Sequence, residues 1–248
     1  MKAVVLAGGA GTRLEPYTKV LPKPLLPIGD RPILEIIVSQ LREAGVDDIV
    51  MATGYLSGLI ETYFGDGRAH GVKISYAREE VALGTVGPLA TIDGLDDTFI
   101  LMNGDVLCDP PFTELLDSHR SAEAAATVAT HGQEVQIDYG VVEVTETNGL
   151  RRISGFREKP RQAYRVSMGI YAFEPRVLEY VEPGQRMDFP DLIERLVESG
   201  ETVVAHEHEG YWVDVGQVHD LESAVKEFGL GAERFVRTGR PPSSDGHG

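Results

Sequence analysis

The sequence predicts an α/β fold: a Rossmann-like, mostly parallel sheet with helices on both faces. Three observations carry this. A short β-branched run at residues 2–7 (KAVVLA) is closed at once by Gly8-Gly9, as a strand buried on both faces is. Strand-like and helix-like segments then alternate through the first half of the chain. Hydrophobic residues make up 42% of the 248, enough to bury a sizeable core.

The elements follow in order. Ile33, Ile36, Ile37, Gln40, Leu41 and Ala44 keep helical spacing, with Pro32 suited to the first turn and Gly45 to the end. Residues 47–54 (DDIVMATG) read as a strand, 55–64 as a helix, 72–77 (VKISYA) as a strand, 85–92 as a helix and 99–105 (FILMNGD) as a strand. After about Ala122 the pattern changes. AAATVATH, GVVEVTE, LRRISGFRE and RVSMGIYAFE are strand-like with short separations, and helical stretches follow at 190–199 and 218–228. The expectation is a single domain over 1–236, made of an α/β part at about 1–121 and a β-rich lobe at about 122–236. No linker rich in Pro, Gly or Ser divides them. Residues 237–248 (RTGRPPSSDGHG) read as a disordered tail.

Charge and cysteine usage exclude several classes. The formal net charge is -16, so the chain should repel nucleic acid and anionic membranes, and no basic stripe offsets that. An anionic substrate must therefore meet a local basic cluster. Cys108 is the only cysteine, which rules out an internal disulfide and a cysteine-built zinc site. No apolar run approaches the length that spans a bilayer, and the run in MKAVVLAGG is too short for a secretory signal. A cytoplasmic location is expected.

A basic cluster exists near the start. LAGGAGTRLEPYTKVLPKPLLP, residues 6–27, combines a glycine-rich turn with Arg13, Lys19 and Lys23. A glycine-rich turn after a first strand lets backbone N–H groups approach phosphate. The dinucleotide fingerprint fails because its third small residue would be Leu14. The P-loop fails because Gly11-Thr12-Arg13 stands in place of Gly-Lys-Ser/Thr. Pro22 and Pro24 restrict the backbone around Lys23. Such rigidity is useful when an ammonium must meet a phosphate at a fixed point.

GGAGTRL followed by PKPLLP resembles the signature of the sugar-1-phosphate nucleotidyltransferases, and the wording LGTVGPL is nearest to their mannose-1-phosphate and heptose-1-phosphate guanylyltransferase branch. The resemblance runs from Met1 to about Phe228. It implies a nucleotide-binding part at about 1–121, a sugar-binding part at about 122–236, and two substrates, a nucleoside triphosphate and a sugar 1-phosphate. It implies that Leu6, Ala7, Gly8, Gly9, Gly11 and Thr12 wrap the triphosphate, that Arg13 steadies the leaving pyrophosphate, and that Lys23 neutralises charge near the α-phosphate. Phosphoryl chemistry calls for Mg²⁺, which takes one or two carboxylates plus phosphate oxygens. Asp105, after Asn103-Gly104, and Asp214, in GYWVDVGQ, stand where the family holds its metal. Trp212 reads as packing, and His206 and His208 as one face of an exposed strand.

The base and the sugar have their own segments. YAREEVALGTVGPL resembles the base-reading segment, with Gly84 and Thr85 at a loop-to-helix junction. Glu79 and Glu80 are carboxylates, which only accept hydrogen bonds. Guanine offers N1–H and a 2-amino group side by side, so GTP is the expected donor. A dTTP- or UTP-dependent enzyme is the alternative, and a nucleotide-sugar-binding regulatory subunit is another. On the sugar side, Gly140 precedes a Val-Val strand, and Glu158 and Lys159 form the family's Glu-Lys-Pro motif. Gly169 keeps its place in SMGIYAFEP, where Ser167-Met168 replace the usual Asn-Ala, so a reshaped pocket for mannose or a heptose is expected. The chain as given ends before the C-terminal left-handed β-helix of many relatives, and a short member, possible as a homo-oligomer, is the expectation. Replacing Arg13 or Asp105 by alanine should remove most turnover and leave the fold intact; full activity in either variant would refute the assignment.

Overall fold

The first strand shows why the opening run is apolar throughout. In β1 (Lys2–Ala7), Ala3, Val5 and Ala7 enter one core and Val4 enters the other. Both faces are covered, as in other parallel sheets. The computed structural model describes residues 1–79 and 81–236; the expected disordered tail at 237–248 and Glu80 lie outside the described residues. After β1 come a two-residue hairpin, β2 (Pro27–Ile28) and β3 (Arg31–Pro32), and then α1 (Ile33–Glu43). Pro32 is the N-cap of α1, and Gly45, with φ 85°, follows its C-cap. β4 (Asp48–Thr53), α2 (Ser57–Phe64), β5 (Lys73–Arg78) and β6 (Phe99–Asn103) continue the alternation.

Beyond β6 the chain adds β7 (Val106–Cys108) and α3 (Phe112–Ser121), then the long β8 (Ala126–Gln136). A separate hairpin, β9 (Val141–Thr147) with β10 (Leu150–Arg157), leads into the long β11 (Arg161–Phe173). α4 (Phe189–Glu198), β12 (Val203–Glu207), β13 (Trp212–Asp214), α5 (Val218–Leu230) and α6 (Ala232–Phe235) complete the order. One seven-stranded sheet has the order β12-β8-β11-β6-β1-β4-β5. All its neighbours pair in parallel except β11, which is antiparallel to both β6 and β8. The sheet therefore takes strands from both sides of residue 121. β13 pairs with β7 in a two-stranded annex.

Helices cover both faces. Ile33, Ile37 and Leu41 of α1, Ile60 of α2, Leu115 of α3 and Phe228 of α5 belong to one core. Leu192 and Leu196 of α4, with Leu89 and Val177 from 3₁₀ turns, belong to the other. Gln40 crosses the first core: it is buried, and its amide donates to the carbonyls of Cys108 (2.8 Å) and Phe235 (2.9 Å). Cys108 itself is buried in this core. Among the described residues no helix is long and apolar enough to cross a membrane.

Two local expectations are corrected. The helix expected at 85–92 is only a 3₁₀ turn over Gly87–Thr91. The N–H groups of Val86 and Gly87 both donate across to Met187 O (3.1 and 3.3 Å), so the first backbone bonds leave the segment, and only short bonds such as Leu89 N–H to Val86 O (3.0 Å) run along it. His208 does not share an exposed strand with His206. β12 stops at Glu207, and His208 Nε2 is buried without a hydrogen-bond partner among the described residues, so burial depresses the imidazole's proton affinity. Gln40→Leu should lower stability by roughly 1–3 kcal/mol, because buried carbonyls lose their donor. Thermal unfolding should show a drop of roughly 2–10 °C, and an unchanged midpoint would refute the bridging role.

Candidate active site

The site lies at the carboxyl ends of β1 and β6. The chain leaves β1 toward β4 on one side and later returns to β6 on the other, so these ends mark the point where strand order reverses, the usual ligand crevice of such sheets. A cavity lined by Met1, Lys2, Asp47, Asp48, Gly94 and Thr98 sits at the opposite, amino-terminal ends.

The glycine loop follows directly from β1. Gly9, Thr12 and Arg13 are exposed. Among the described residues the N–H groups of residues 9–13 donate to no carbonyl or side chain, which leaves a run of donors open to an anion. Gly11 needs its positive φ of 61°, and a Cβ there would stand 2.9 Å from Thr18 Cγ2 and 3.2 Å from Lys23 Cβ. The Thr18 hydroxyl donates to Gly11 O at 2.8 Å. The loop is thus pressed onto the segment that carries Lys23. Gly104 comes as close to β1: its N–H donates to Leu6 O at 2.8 Å, and a Cβ there would stand 2.8 Å from the same oxygen. Ala7 is buried, and Gly8 O accepts from Tyr55 N at 3.3 Å.

Lys23 begins a 3₁₀ turn between Pro22 and Pro24 and is buried. Its Nζ lies 2.5 Å from Asp105 Oδ2 and 3.4 Å from Asp214 Oδ1. Asp105 is one residue past Gly104, and Asp214 ends β13, where it pairs in register with Val106. Val215 N donates to Asp105 O at 3.1 Å, which fixes the two backbones side by side. Burial pushes the Asp105 carboxyl up; Lys23 opposes this and the Asp214 charge adds to it. Asp105 Oδ1 is buried with no hydrogen-bond partner among the described residues. Arg13 reaches the same place: a Cβ on Gly216 would lie 3.7 Å from its Cζ. The structure therefore brings together Gly11, Arg13, Lys23, Gly104, Asp105 and Asp214.

The expected base-reading residues are held by α4. Gly84 has φ 82°, and a Cβ there would stand 2.4 Å from Met187 O. Thr85 N donates to Asp188 Oδ1 (3.2 Å), and the Thr85 hydroxyl accepts from Phe189 N (2.7 Å). Asp188 also forms a capping box with Asp191 at the start of α4. The Asp-x-x-Asp spacing before an apolar run is a helix-start signal that could have found Asp188. Glu79 is half-buried, its Oε2 accepts from Leu83 N at 3.2 Å, and burial raises its carboxyl.

The expected sugar residues form two groups. At the β9–β10 hairpin, a Cβ on Gly140 would stand 2.3 Å from Phe156 Cζ and 3.1 Å from Glu158 Oε2. Glu158 and Lys159 are exposed, and Lys159 has φ 41°. At β11, Gly169 has φ 73°, and a Cβ there would stand 2.5 Å from Asn103 Nδ2. The Ser167 hydroxyl accepts from Gly169 N (3.3 Å) and meets the Tyr171 hydroxyl (2.9 Å). Ser167 is exposed while Met168 is buried in the core, so only Ser167 is placed to shape a pocket.

A family model described as nucleotidyl transferase matches residues 2–229. The chain belongs to this family. A UTP–glucose-1-phosphate uridylyltransferase from Synechocystis sp. is 39% identical over 246 residues, covering 91% of this chain and 63% of the relative. A mannose-1-phosphate guanyltransferase from Yarrowia lipolytica is 38% identical over 236 residues, with the same two coverages of 91% and 63%. The chain thus spans a little under two thirds of the length of these family members. A Bacillus anthracis structure provisionally described as a glucose-1-phosphate thymidylyltransferase, in complex with sucrose, superposes with TM-score 0.74 at 27% identity, covering 92% of this chain and 94% of that one. A UDP-glucose pyrophosphorylase complexed with UDP-glucose shares the fold, with TM-score 0.69 at 22% identity over 92% of this chain and 98% of that one.

The buried Asp105 charge sets up a trade of stability for function. Because its carboxyl is raised, folding disfavours the charged form, and above both the folded and unfolded values that charge lowers stability. At pH 7 in a chelator, Asp105→Asn should therefore melt no lower than the native protein while losing activity. A fall of more than about 4 °C, roughly 1 kcal/mol or more for a chain of this size, would overturn that sign.

Proposed function

We propose that the protein transfers a nucleotidyl group from a nucleoside triphosphate to a sugar 1-phosphate, releasing pyrophosphate. The observation that carries the reading is Lys23, whose ammonium holds Asp105 and Asp214 together beside an anion-accepting loop and Arg13. The acceptor phosphate oxygen attacks the α-phosphorus. The bond from that phosphorus to the bridging oxygen breaks, and its electron pair leaves with pyrophosphate. Such an in-line displacement needs positioning and charge neutralisation more than covalent help. The N–H groups of residues 9–13 bind the triphosphate and Arg13 steadies the departing part. Lys23 has three N–H donors; two meet the carboxylates and one is left for an α-phosphate oxygen.

Mg²⁺ fits this donor set. Asp105 Oδ1 is buried without a partner, Asp214 is half-exposed beside it, and two carboxylates with phosphate oxygens are the usual ligands of that ion. When bound, the ion would neutralise charge on the reacting phosphates. Among the described residues no group of three or more potential ligand side chains forms a self-sufficient metal cage, which agrees with a site completed by substrate.

GTP is the donor we favour, because Glu79 presents a half-buried carboxylate that can only accept hydrogen bonds. A UTP reading is supported by the Synechocystis relative at 39% identity, which is named a UTP–glucose-1-phosphate uridylyltransferase. The acceptor we favour is mannose 1-phosphate or a heptose 1-phosphate, since the small exposed Ser167 leaves room beside Gly169. Pyrophosphate release should be measured with Mg²⁺ for GTP, ATP, CTP, UTP and dTTP, each crossed with mannose, glucose and heptose 1-phosphates. Release should occur with GTP and be abolished by chelator. Release only with UTP or dTTP would sink the base assignment, and binding without release from any pair would sink the reaction.

A further inference from the structure

Trp212 is the chain's only tryptophan. It stands two residues before Asp214 on β13, so the two side chains leave the strand on the same face. Its indole N–H donates to the main-chain carbonyl of Met168 at 3.0 Å, and its ring lies 5.6 Å from that of His131. Met168 sits where β11 slips. Pairing with β8 runs as far as Ser167–Thr130 and resumes at Tyr171–Val128, while pairing with β6 begins only at Ile170. Met168 and Gly169 fall in neither register, so the Met168 carbonyl takes its donor from a side chain.

The slip is what exposes the acceptor side of the cleft. It turns Gly169 against Asn103 and places the Ser167 hydroxyl on Gly169 N–H. Asp214, in turn, rides on a strand that pairs with β7 over three residues only. Val215 N–H, bound to Asp105 O, and the Lys23 ammonium tie Asp214 to the β7 side; the indole N–H ties its strand to the Ser167–Gly169 turn.

We propose that Trp212 is a positioning residue whose indole N–H sets the distance between Asp214 and the Ser167–Gly169 turn, and so aligns the acceptor phosphate with the phosphorus it attacks. This rests on the reaction proposed above. A tryptophan that served packing alone would need its ring and not its donor, so the decisive comparison separates the two.

Because position 212 holds the only tryptophan, biosynthetic incorporation of a tryptophan analogue changes this residue alone. β-(3-Benzothienyl)alanine keeps the ring outline and replaces N–H by sulfur. 4-Fluorotryptophan keeps the N–H and is the control. The benzothienyl protein should lose about tenfold or more in kcat and gain several-fold in KM for the sugar 1-phosphate, with KM for the nucleotide within about twofold, because a misplaced acceptor costs alignment and not triphosphate binding. The fluorotryptophan protein should match the native one, and Trp212→Phe should follow the benzothienyl protein. In the native chain, adding sugar 1-phosphate in the absence of turnover should shift the tryptophan emission. An active native protein whose benzothienyl form has unchanged constants, or whose two KM values rise together with kcat retained, would overturn the positioning role. A native protein inactive with every substrate pair would instead overturn the proposed reaction.

Discussion

The ammonium of Lys23 is the contact on which the site depends. Asp105 and Asp214 would repel each other at the end of two short paired strands, and one of them is largely buried. A single cation between them makes that arrangement stable enough to fold, and it keeps both carboxylates aimed at one point. Losing the Lys23 ammonium would be the costly change, because it leaves two carboxylates facing each other with no cation between them. The exposed ion pairs elsewhere, such as Arg120 with Asp117 or Arg68 with Asp66, carry no comparable burden.

Lys23 is held by sequence-local and long-range constraints together. Pro22 and Pro24 limit its backbone, and Leu25 N–H closes the turn on Pro22 O at 2.8 Å. Gly11 packs on its Cβ, so the glycine-rich loop and the ammonium are parts of one rigid unit. Gly104 brings the Asp105 strand within a hydrogen bond of β1. At both glycines a side chain would collide with atoms that cannot easily give way. Close backbone approach, more than loop flexibility, explains their presence.

The β11 side of the cleft is built by a different device. β11 is the one strand of the large sheet that runs against its neighbours, and its register slips beside the cleft. The slip gives Gly169 its positive φ and leaves Met168 to be capped by Trp212. α4 holds the Gly84–Thr85 segment in a similar way, with Asp188 taking the Thr85 N–H while also starting its own helix. Each half of the cleft is therefore fixed by a side chain that satisfies a displaced backbone group.

The sequence by itself determined the alternation of strands and helices, the buried first strand, the helix from Ile33 with its proline start and glycine stop, and the glycine-rich turn after β1. These are local properties, set by hydrophobic period, restricted backbone angles and turn chemistry, and they read without partners. It also marked Arg13, Lys23, Asp105 and Asp214 as candidates through their motifs. Only the tertiary structure decided that Lys23 bridges two carboxylates 109 residues apart in the chain, the difference between 214 and 105, that Val86 and Gly87 give their N–H groups to Met187 rather than to a helix, and that Trp212 is a donor as well as a packing residue. Ion pairing, cross-strand satisfaction of backbone groups and register slips depend on which distant segments meet. That information lies in the packing of the whole chain and in no single stretch of it.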